Sequence, residues 1–157
     1  MLPEEALAKL LKQSNLTLAT AESLTGGLVG ELITSVPGAS SFYLGGMITY
    51  ATESKSEVLG VDRDTIREEG PVSCNTARQM AARIREKFGS SIGLATTGVA
   101  GPTMQDGHPV GTLHIGFADS VGDQCISLRS SLSDRVAIRN WAAREALTVV
   151  VNKLASP

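Results

Sequence analysis

The sequence predicts a single α/β layered domain with a mixed β-sheet flanked by helices. Helical and strand patterns alternate along most of the chain, as is typical of sheets covered by helices. Two consecutive strand patterns near the end predict a hairpin, which adds antiparallel pairing to the sheet. Hydrophobic residues make up 42% of the chain and no linker interrupts it, so we expect residues 1–157 to form one domain.

The first third of the chain predicts a helix, a buried strand and a second helix. Apolar residues recur at helical spacing in residues 3–14, and Pro3 suits a first helical turn. Residues 15–22 are mostly small or apolar on both sides of an alternating pattern, which indicates a strand buried on both faces. Residues 25–35 then predict a helix that Val36-Pro37-Gly38 ends.

The middle of the chain predicts one strand and three helices. Residues 41–50 carry the strand pattern, and residues 52–60 and 62–70 each predict a short helix. Residues 74–88 predict a longer helix, for which Ser73 is a suitable N-cap.

The last third predicts a buried strand, a loop, a hairpin and a long helix. Residues 90–97 form the buried strand, and residues 98–109 form a loop rich in Gly and Pro. Residues 110–118 and 124–132 predict the hairpin, and residues 134–154 predict the final helix.

The composition excludes several functional classes. A net charge of −2 argues against a chain-wide basic surface for nucleic acid, although it leaves room for a local basic pocket. No signal peptide is recognisable, and no stretch approaches the ~20 apolar residues of a membrane span. Cys74 and Cys125 match no metal spacing and no CxxC motif, which favours a reduced, cytoplasmic compartment. His108 and His114 form no ligand pair and have no nearby Cys, so we expect no metal.

Ser23 lies where the first predicted strand meets the second helix. A serine on such a turn can present its hydroxyl at the sheet edge, with backbone N–H groups aimed at developing negative charge. Gly26 and Gly27 permit a tight turn and a close approach of ligand. The alternative is that Ser23 is only a helix cap and the glycines only a turn.

Lys55 and Tyr50 lie close together where a strand ends and a short helix begins. A partly desolvated lysine can lose its proton near neutral pH and act as a base, and a tyrosine hydroxyl can orient a proton. The alternative is that Lys55 is a solvated surface residue. No histidine is well placed for a Ser-His-Asp triad. Among the mechanisms that use a nucleophile, this favours a serine activated by a lysine.

Two further segments have the composition of a binding site. Thr97 and Gly98 follow a buried strand, at the sheet edge where ligands gather in open α/β folds, although the segment is equally consistent with an ordinary turn. Arg135 and Arg139 are four residues apart on one helix face and could clamp a phosphate or carboxylate. The alternative for them is a solvated face, with Arg135 paired to an acidic neighbour.

In order and spacing, these segments resemble the CinA C-terminal domain family, the nicotinamide-nucleotide amidases. The matching segments are Thr20–Gly27, Val36–Ser40, Gly45–Tyr50 with Lys55, Leu59–Val61, Gly70–Ser73, Thr97–Pro102, Pro109–Thr112 and Asp134-Arg135 with Arg139. The sequence departs from the family pattern at Leu24, where a cysteine is usual, and in the loop 103–108, which is poorer in glycine and bulkier.

The resemblance implies a hydrolase that converts nicotinamide mononucleotide to nicotinate mononucleotide and ammonia, without a metal or organic cofactor. It implies Ser23 as nucleophile, Lys55 as general base and Tyr50 as an assisting group. It also implies a homo-oligomer with a small-molecule partner, while the charge and the apolar content predict no nucleic acid or membrane partner. The substrate-binding residues that we expect are Glu22, Thr25, Gly26, Gly27, Thr97, Gly98, Gly101, Arg135 and Arg139.

Three alternatives remain at this stage. The same pocket could bind a nucleotide without turnover, or the enzyme could act on another small carboxamide. The chain could also be an interaction module linked to competence or DNA damage, although its slightly acidic charge counts against direct DNA contact.

Overall fold

The fold is an α/β structure in which helices cover a mixed sheet, as the sequence predicts. The computed structural model describes residues 1–156. Its helices in this part of the chain are α1 (Pro3–Ser14), α2 (Leu28–Thr34), α3 (Thr52–Glu57), α4 (Arg63–Glu69), α5 (Cys74–Phe88) and α6 (Arg135–Ala155). The strands described there are β1 (Leu18–Glu22), β2 (Tyr43–Ile48), β3 (Ile92–Gly98), β4 (Thr112–Ala118) and β5 (Asp123–Arg129). A short 3₁₀ helix at Ala39–Ser41 precedes β2.

Within residues 1–156 the sheet has five strands in the order β2-β1-β3-β4-β5. The strand β1 pairs in parallel with both β2 and β3, whereas β4 is antiparallel to β3 and β5. The last two strands form the predicted hairpin. The carboxyl ends of β1, β2 and β3 meet at one sheet edge, which is where open α/β sheets bind ligands.

Helices α1, α2 and α6 pack on one face of the sheet, and α5 lies across the other. Side chains on β3 alternate between the two cores, so Leu94 packs with the α6 side and Ala95 with the α5 side. All five residues of β1 are buried, which confirms the prediction of a strand covered on both faces.

Some element boundaries differ from the sequence predictions. The helix α2 begins at Leu28 rather than at residue 25, because Gly26 (φ 58°) and Gly27 (φ 111°) adopt left-handed backbone conformations that are incompatible with a helix. The strand β1 begins at Leu18 rather than at residue 15, because Asn15 (φ 55°) caps the end of α1.

The two cysteines are joined, contrary to the interpretation that they are separate thiols of a reduced compartment. Cys74 and Cys125 form a disulfide with a Cα–Cα distance of 5.5 Å, although they are 51 residues apart in the sequence. That separation is why spacing motifs gave no sign of the pair. None of the helices in residues 1–156 combines the length and the apolar composition that a membrane span requires.

Candidate active site

Ser23 directly follows the last residue of β1, at the carboxyl edge of the parallel strands. Its N–H donates to Thr96 O at 3.1 Å, which fixes its backbone against β3. Its carbonyl accepts from Gly26 N–H at 3.0 Å, closing a tight turn before α2. The side chain is 8% exposed, so its hydroxyl is almost shielded from bulk water.

Glu22, next to Ser23, uses its carboxylate to cap α2. The carboxylate oxygens accept from Gly27 N–H at 3.1 Å, Val29 N–H at 2.9 Å and Gly30 N–H at 3.1 Å. These N–H groups have no acceptor within the helix, and a negative charge suits the positive end of a helix dipole. Glu22 therefore holds the turn that carries Ser23.

Lys55 lies on α3 with its side-chain nitrogen inside the protein. The side chain is 1% exposed, and Nζ lies 2.9 Å from Ser23 Oγ. It also lies 2.6 Å from Thr49 O and 3.4 Å from Tyr50 O. Burial lowers the pKa of Lys55 from 10.5 to about 8, while the negative charge of Glu53 opposes the change.

The three neighbours of Lys55 Nζ suit an uncharged amine. An amine has two N–H bonds, which can point to the carbonyls of Thr49 and Tyr50, and one lone pair. That lone pair is then free to accept the Ser23 hydroxyl proton across 2.9 Å. The pair has the distance that nucleophile activation by a base requires.

Ser23 and Lys55 open into a cavity of about 280 Å³. This volume lies near the lower end of small-molecule sites, which span roughly 300–1,000 Å³. Of the residues that we expect in the site, the cavity wall includes Ser23, Tyr50, Lys55, Thr97, Gly98, Gly101 and Arg135. The structure does not bring Glu22, Thr25, Gly26, Gly27 or Arg139 into that wall.

Arg135 spans one side of this cavity. Its Nη1 donates to Gly101 O at 2.5 Å and its Nη2 donates to the hydroxyl of Tyr50 at 2.9 Å. Tyr50 is 58% exposed, so these contacts lie at the cavity mouth. No acidic side chain pairs with Arg135 within residues 1–156, so its charge is available to an anionic ligand.

Arg139 lies one helical turn further along α6 and points to the turn that follows Ser23. Its Nε donates to Leu24 O at 2.9 Å and its Nη2 donates to Thr25 O at 3.1 Å. The hydroxyl of Thr25 is buried and bonds to Thr96 Oγ1 at 2.8 Å. Arg139 and Thr25 therefore both fix the turn after Ser23.

The far wall of the cavity is built around Thr97. Its hydroxyl donates to Pro71 O at 2.7 Å, which ties the end of β3 to the segment before α5. Val72, from the same segment, is buried and lines the cavity.

Comparison with known proteins agrees with this architecture. The family model described as the CinA C-terminal domain matches residues 2–154. The chain belongs to the CinA C-terminal domain family. A CinA-like protein from Frankia casuarinae is 49% identical over 152 residues, which is 97% of this chain and 35% of that protein. A CinA-like protein from Geobacter sulfurreducens is 43% identical over 92% of this chain and 35% of its own length.

This chain thus spans about a third of the length of the curated CinA-like relatives that it matches. Solved structures match it over nearly their full length. A CinA superfamily protein from Klebsiella pneumoniae is 29% identical, with a TM-score of 0.93 over 98% of this chain and 96% of that chain. A competence/damage inducible protein from Agrobacterium tumefaciens is 31% identical, with a TM-score of 0.89 over the same shares.

Several wall residues of this CinA domain were missed by the sequence analysis. They are Leu24, Thr52, Pro71, Val72, Thr103, Met104 and Gln105. A signal existed for Pro71 and Val72, because both belong to a segment that matches the family. Residues 103–105 belong to the loop that departs from the family pattern, so the cavity wall departs from that pattern at this place.

Proposed function

We propose that this CinA domain is a serine amidohydrolase that converts nicotinamide mononucleotide to nicotinate mononucleotide and ammonia. The observation that carries the proposal is the buried pair of Lys55 Nζ and Ser23 Oγ, 2.9 Å apart at the cavity floor. A serine hydroxyl is a weak nucleophile by itself, and a neutral amine at this distance can accept its proton.

In the first half-reaction, Lys55 as an amine takes the Ser23 proton and Ser23 Oγ attacks the carboxamide carbon. The resulting ammonium of Lys55 returns that proton to the nitrogen of the substrate amide, and ammonia leaves. An ester between Ser23 and the nicotinoyl group remains. In the second half-reaction, Lys55 takes a proton from water and the hydroxide attacks the ester. Ser23 then leaves with the proton that the Lys55 ammonium returns, and the carboxylic acid product releases its own proton to solvent to give the carboxylate.

The oxyanion of each step needs N–H donors near Ser23. The N–H groups of Leu24 and Thr25 have no acceptor within residues 1–156, whereas those of Gly26 and Gly27 are bonded to Ser23 O and Glu22. Because Leu24 also lines the cavity and Thr25 does not, we assign the oxyanion contact to the Leu24 N–H. Removing one such donor in comparable enzymes costs about 10²–10³ in rate.

Arg135 is the residue that we assign to the substrate phosphate. Its guanidinium is at the cavity mouth and has no acidic partner, and its planar fork matches a phosphate group. In this assignment Tyr50 is a positioning residue, because its hydroxyl accepts from Arg135 and its carbonyl faces Lys55.

The test is ammonia release from nicotinamide mononucleotide, nicotinamide riboside and free nicotinamide. Wild type should release ammonia fastest from the mononucleotide, and Ser23→Ala should release none while keeping the wild-type circular dichroism spectrum. Ser35→Ala is the matched control, because Ser35 is exposed and its hydroxyl bonds only to Leu32 O. Binding of mononucleotide without turnover by wild type would instead identify a nucleotide-binding module. Turnover of a different carboxamide but not of the mononucleotide would show that the proposed substrate is wrong.

A further inference from the structure

A second group of reactive side chains lies outside the catalytic cavity, between α5 and the hairpin. Cys74, His114 and Cys125 come from α5, β4 and β5, and their Sγ and Nδ1 atoms all lie within 4.8 Å of one another. His114 Nδ1 is 3.8 Å from Cys74 Sγ. The expectation of no metal rested on the absence of a cysteine near a histidine, and the fold overturns that premise.

The packing of α5 on the sheet explains why these side chains meet. Gly116 pairs with Cys125 across the hairpin, and a Cβ on Gly116 would overlap the backbone of Ala77 in α5. The missing side chain thus lets α5 approach the sheet closely. Arg78, one turn after Cys74, pairs with Asp123 at 3.2 Å and ties α5 to β5 independently of the disulfide.

The cluster has the ligand chemistry of a zinc site. Two thiolates and one imidazole are the donors that Zn²⁺ prefers, and sites with three protein ligands keep a fourth position for water or substrate. Ser127 Oγ lies 2.8 Å from His114 Nδ1, 3.1 Å from Cys74 Sγ and 3.7 Å from Cys125 Sγ. All three potential ligands are partly exposed, so an ion can enter from solvent.

We propose that Cys74, His114 and Cys125 form a redox-gated site for a thiophilic divalent cation such as Zn²⁺. The disulfide of the structure is the closed, metal-free form. A dithiol reductant opens it by exchange: the protein gains two thiols, and the reductant becomes a disulfide. Zn²⁺ then replaces the two thiol protons and takes the imidazole nitrogen as its third ligand.

The partial exposure of Cys74 and Cys125 allows their disulfide to be reduced and formed again. A buried structural disulfide is shielded from attacking thiolates, whereas exposed disulfides are the labile ones. Cys125 lies on β5, which has one free edge within the described sheet, and Cys74 opens α5. Because the Arg78–Asp123 pair and the Ala77–Gly116 contact do not involve sulfur, we expect α5 and β5 to stay docked after reduction.

The test uses the whole chain, reduced with excess dithiol and moved anaerobically into buffer free of dithiol. Co²⁺ titration should give one ion per chain with the near-ultraviolet charge-transfer bands of thiolate ligands, and Zn²⁺ should bleach them. Cys125→Ser and His114→Gln should each weaken Zn²⁺ binding at least about tenfold. The matched control His108→Gln should bind within about threefold of wild type.

Air-oxidised protein should bind no Co²⁺ until it is reduced. The proposal is overturned if reduced wild type binds Zn²⁺ no more tightly than His114→Gln, or if Co²⁺ binds without thiolate bands. It is also overturned if native protein under excess dithiol exposes no titratable thiols, since the disulfide would then be a permanent crosslink. His114→Gln keeps both cysteines, so it remains informative if the serine variant does not fold.

Discussion

Lys55 Nζ lies 2.9 Å from Ser23 Oγ, although 32 residues separate the two in the sequence. The contact forms because β1 and β2 are parallel neighbours, so the residues that follow each strand meet at one sheet edge. Burial of Lys55 lowers its pKa to about 8, which leaves about one-tenth of the molecules with a neutral amine at pH 7. The chemistry proposed for the pair therefore has a definite pH dependence.

The first prediction concerns that pH dependence. Because only the amine form of Lys55 can accept the Ser23 proton, kcat/KM for the mononucleotide should rise as the pH increases and level off above about 8. Lys55→Arg should be nearly inactive at every pH, because a guanidinium does not lose its proton. Initial rates between pH 6 and 9.5 provide the measurement. A Lys55→Arg variant with most of the wild-type rate would show that the residue supplies only positive charge.

A second prediction is that Lys55 destabilises the folded protein at neutral pH. The unfolded chain binds the lysine proton up to about pH 10.5 and the folded chain only up to about pH 8, so stability from this residue increases between those values. The difference amounts to about 3 kcal/mol. Lys55→Met should therefore raise the free energy of unfolding at pH 7 by about 1–3 kcal/mol, since lost hydrogen bonds offset part of the gain.

Urea unfolding of wild type and Lys55→Met at pH 7, 8, 9 and 9.5 tests that prediction. The contributions of the other titrating groups cancel in the difference between the two free energies of unfolding. The advantage of Lys55→Met should shrink as the pH increases. An equal loss of stability at all pH values would mean that the hydrogen bonds of Lys55 outweigh its burial.

The fold class was accessible from sequence because it depends on local pattern, whereas the roles proposed for Ser23 and Lys55 came from the resemblance to the family. Alternating periodicities predict an α/β sheet, but a serine on a strand-to-helix turn is equally a preferred helix cap, so the local pattern left both roles of Ser23 open. The range of about 74–88 predicted for α5 agrees with the structure, in which Ser73 caps one end and Gly89 ends the other.

The separate roles of Arg135 and Arg139 could not be predicted from the sequence. Both share a helix face, and the sequence could not say which turn of α6 lies over the cavity and which lies over the Ser23 turn. The role of Glu22 was also not predictable from the sequence. Its neighbour Ser23 faces the cavity, whereas the carboxylate of Glu22 caps α2. Contacts between distant segments, such as Cys74 with Cys125, depend on packing that no local pattern records.

A third prediction separates a capping role of Glu22 from substrate binding. Glu22→Gln keeps the size of the side chain but removes the charge that three N–H groups of the α2 terminus share. Thermal and urea unfolding should show a loss of about 1–3 kcal/mol in stability. The KM for the mononucleotide should change less than about threefold, because the carboxylate does not line the cavity. A large KM increase at unchanged stability would restore Glu22 to the substrate site.

The fourth prediction is that Arg139 is a positioning residue for the oxyanion contact. Its guanidinium bonds to the carbonyls of Leu24 and Thr25, and thereby holds the turn that presents the Leu24 N–H to the cavity. Arg139→Lys cannot bridge both carbonyls and should lower kcat by about 10–100-fold, with KM changed less than about threefold. The readout is the separation of kcat from KM, with melting temperature as a control for folding. An equal effect in KM would mean that Arg139 contacts substrate after all.

The last prediction concerns Arg135 and the phosphate of the substrate. Because its guanidinium lies at the cavity mouth, away from the Ser23–Lys55 pair, it should stabilise ground state and transition state alike. Arg135→Gln should raise KM for nicotinamide mononucleotide by about 10–100-fold, whereas kcat should change little. The same variant should turn over nicotinamide riboside as wild type does, because the riboside lacks the phosphate. Tyr50→Phe, which removes the hydroxyl that holds Arg135, should shift KM in the same direction by a smaller factor. Equal losses on mononucleotide and riboside would place the role of Arg135 in the chemical step rather than in phosphate recognition.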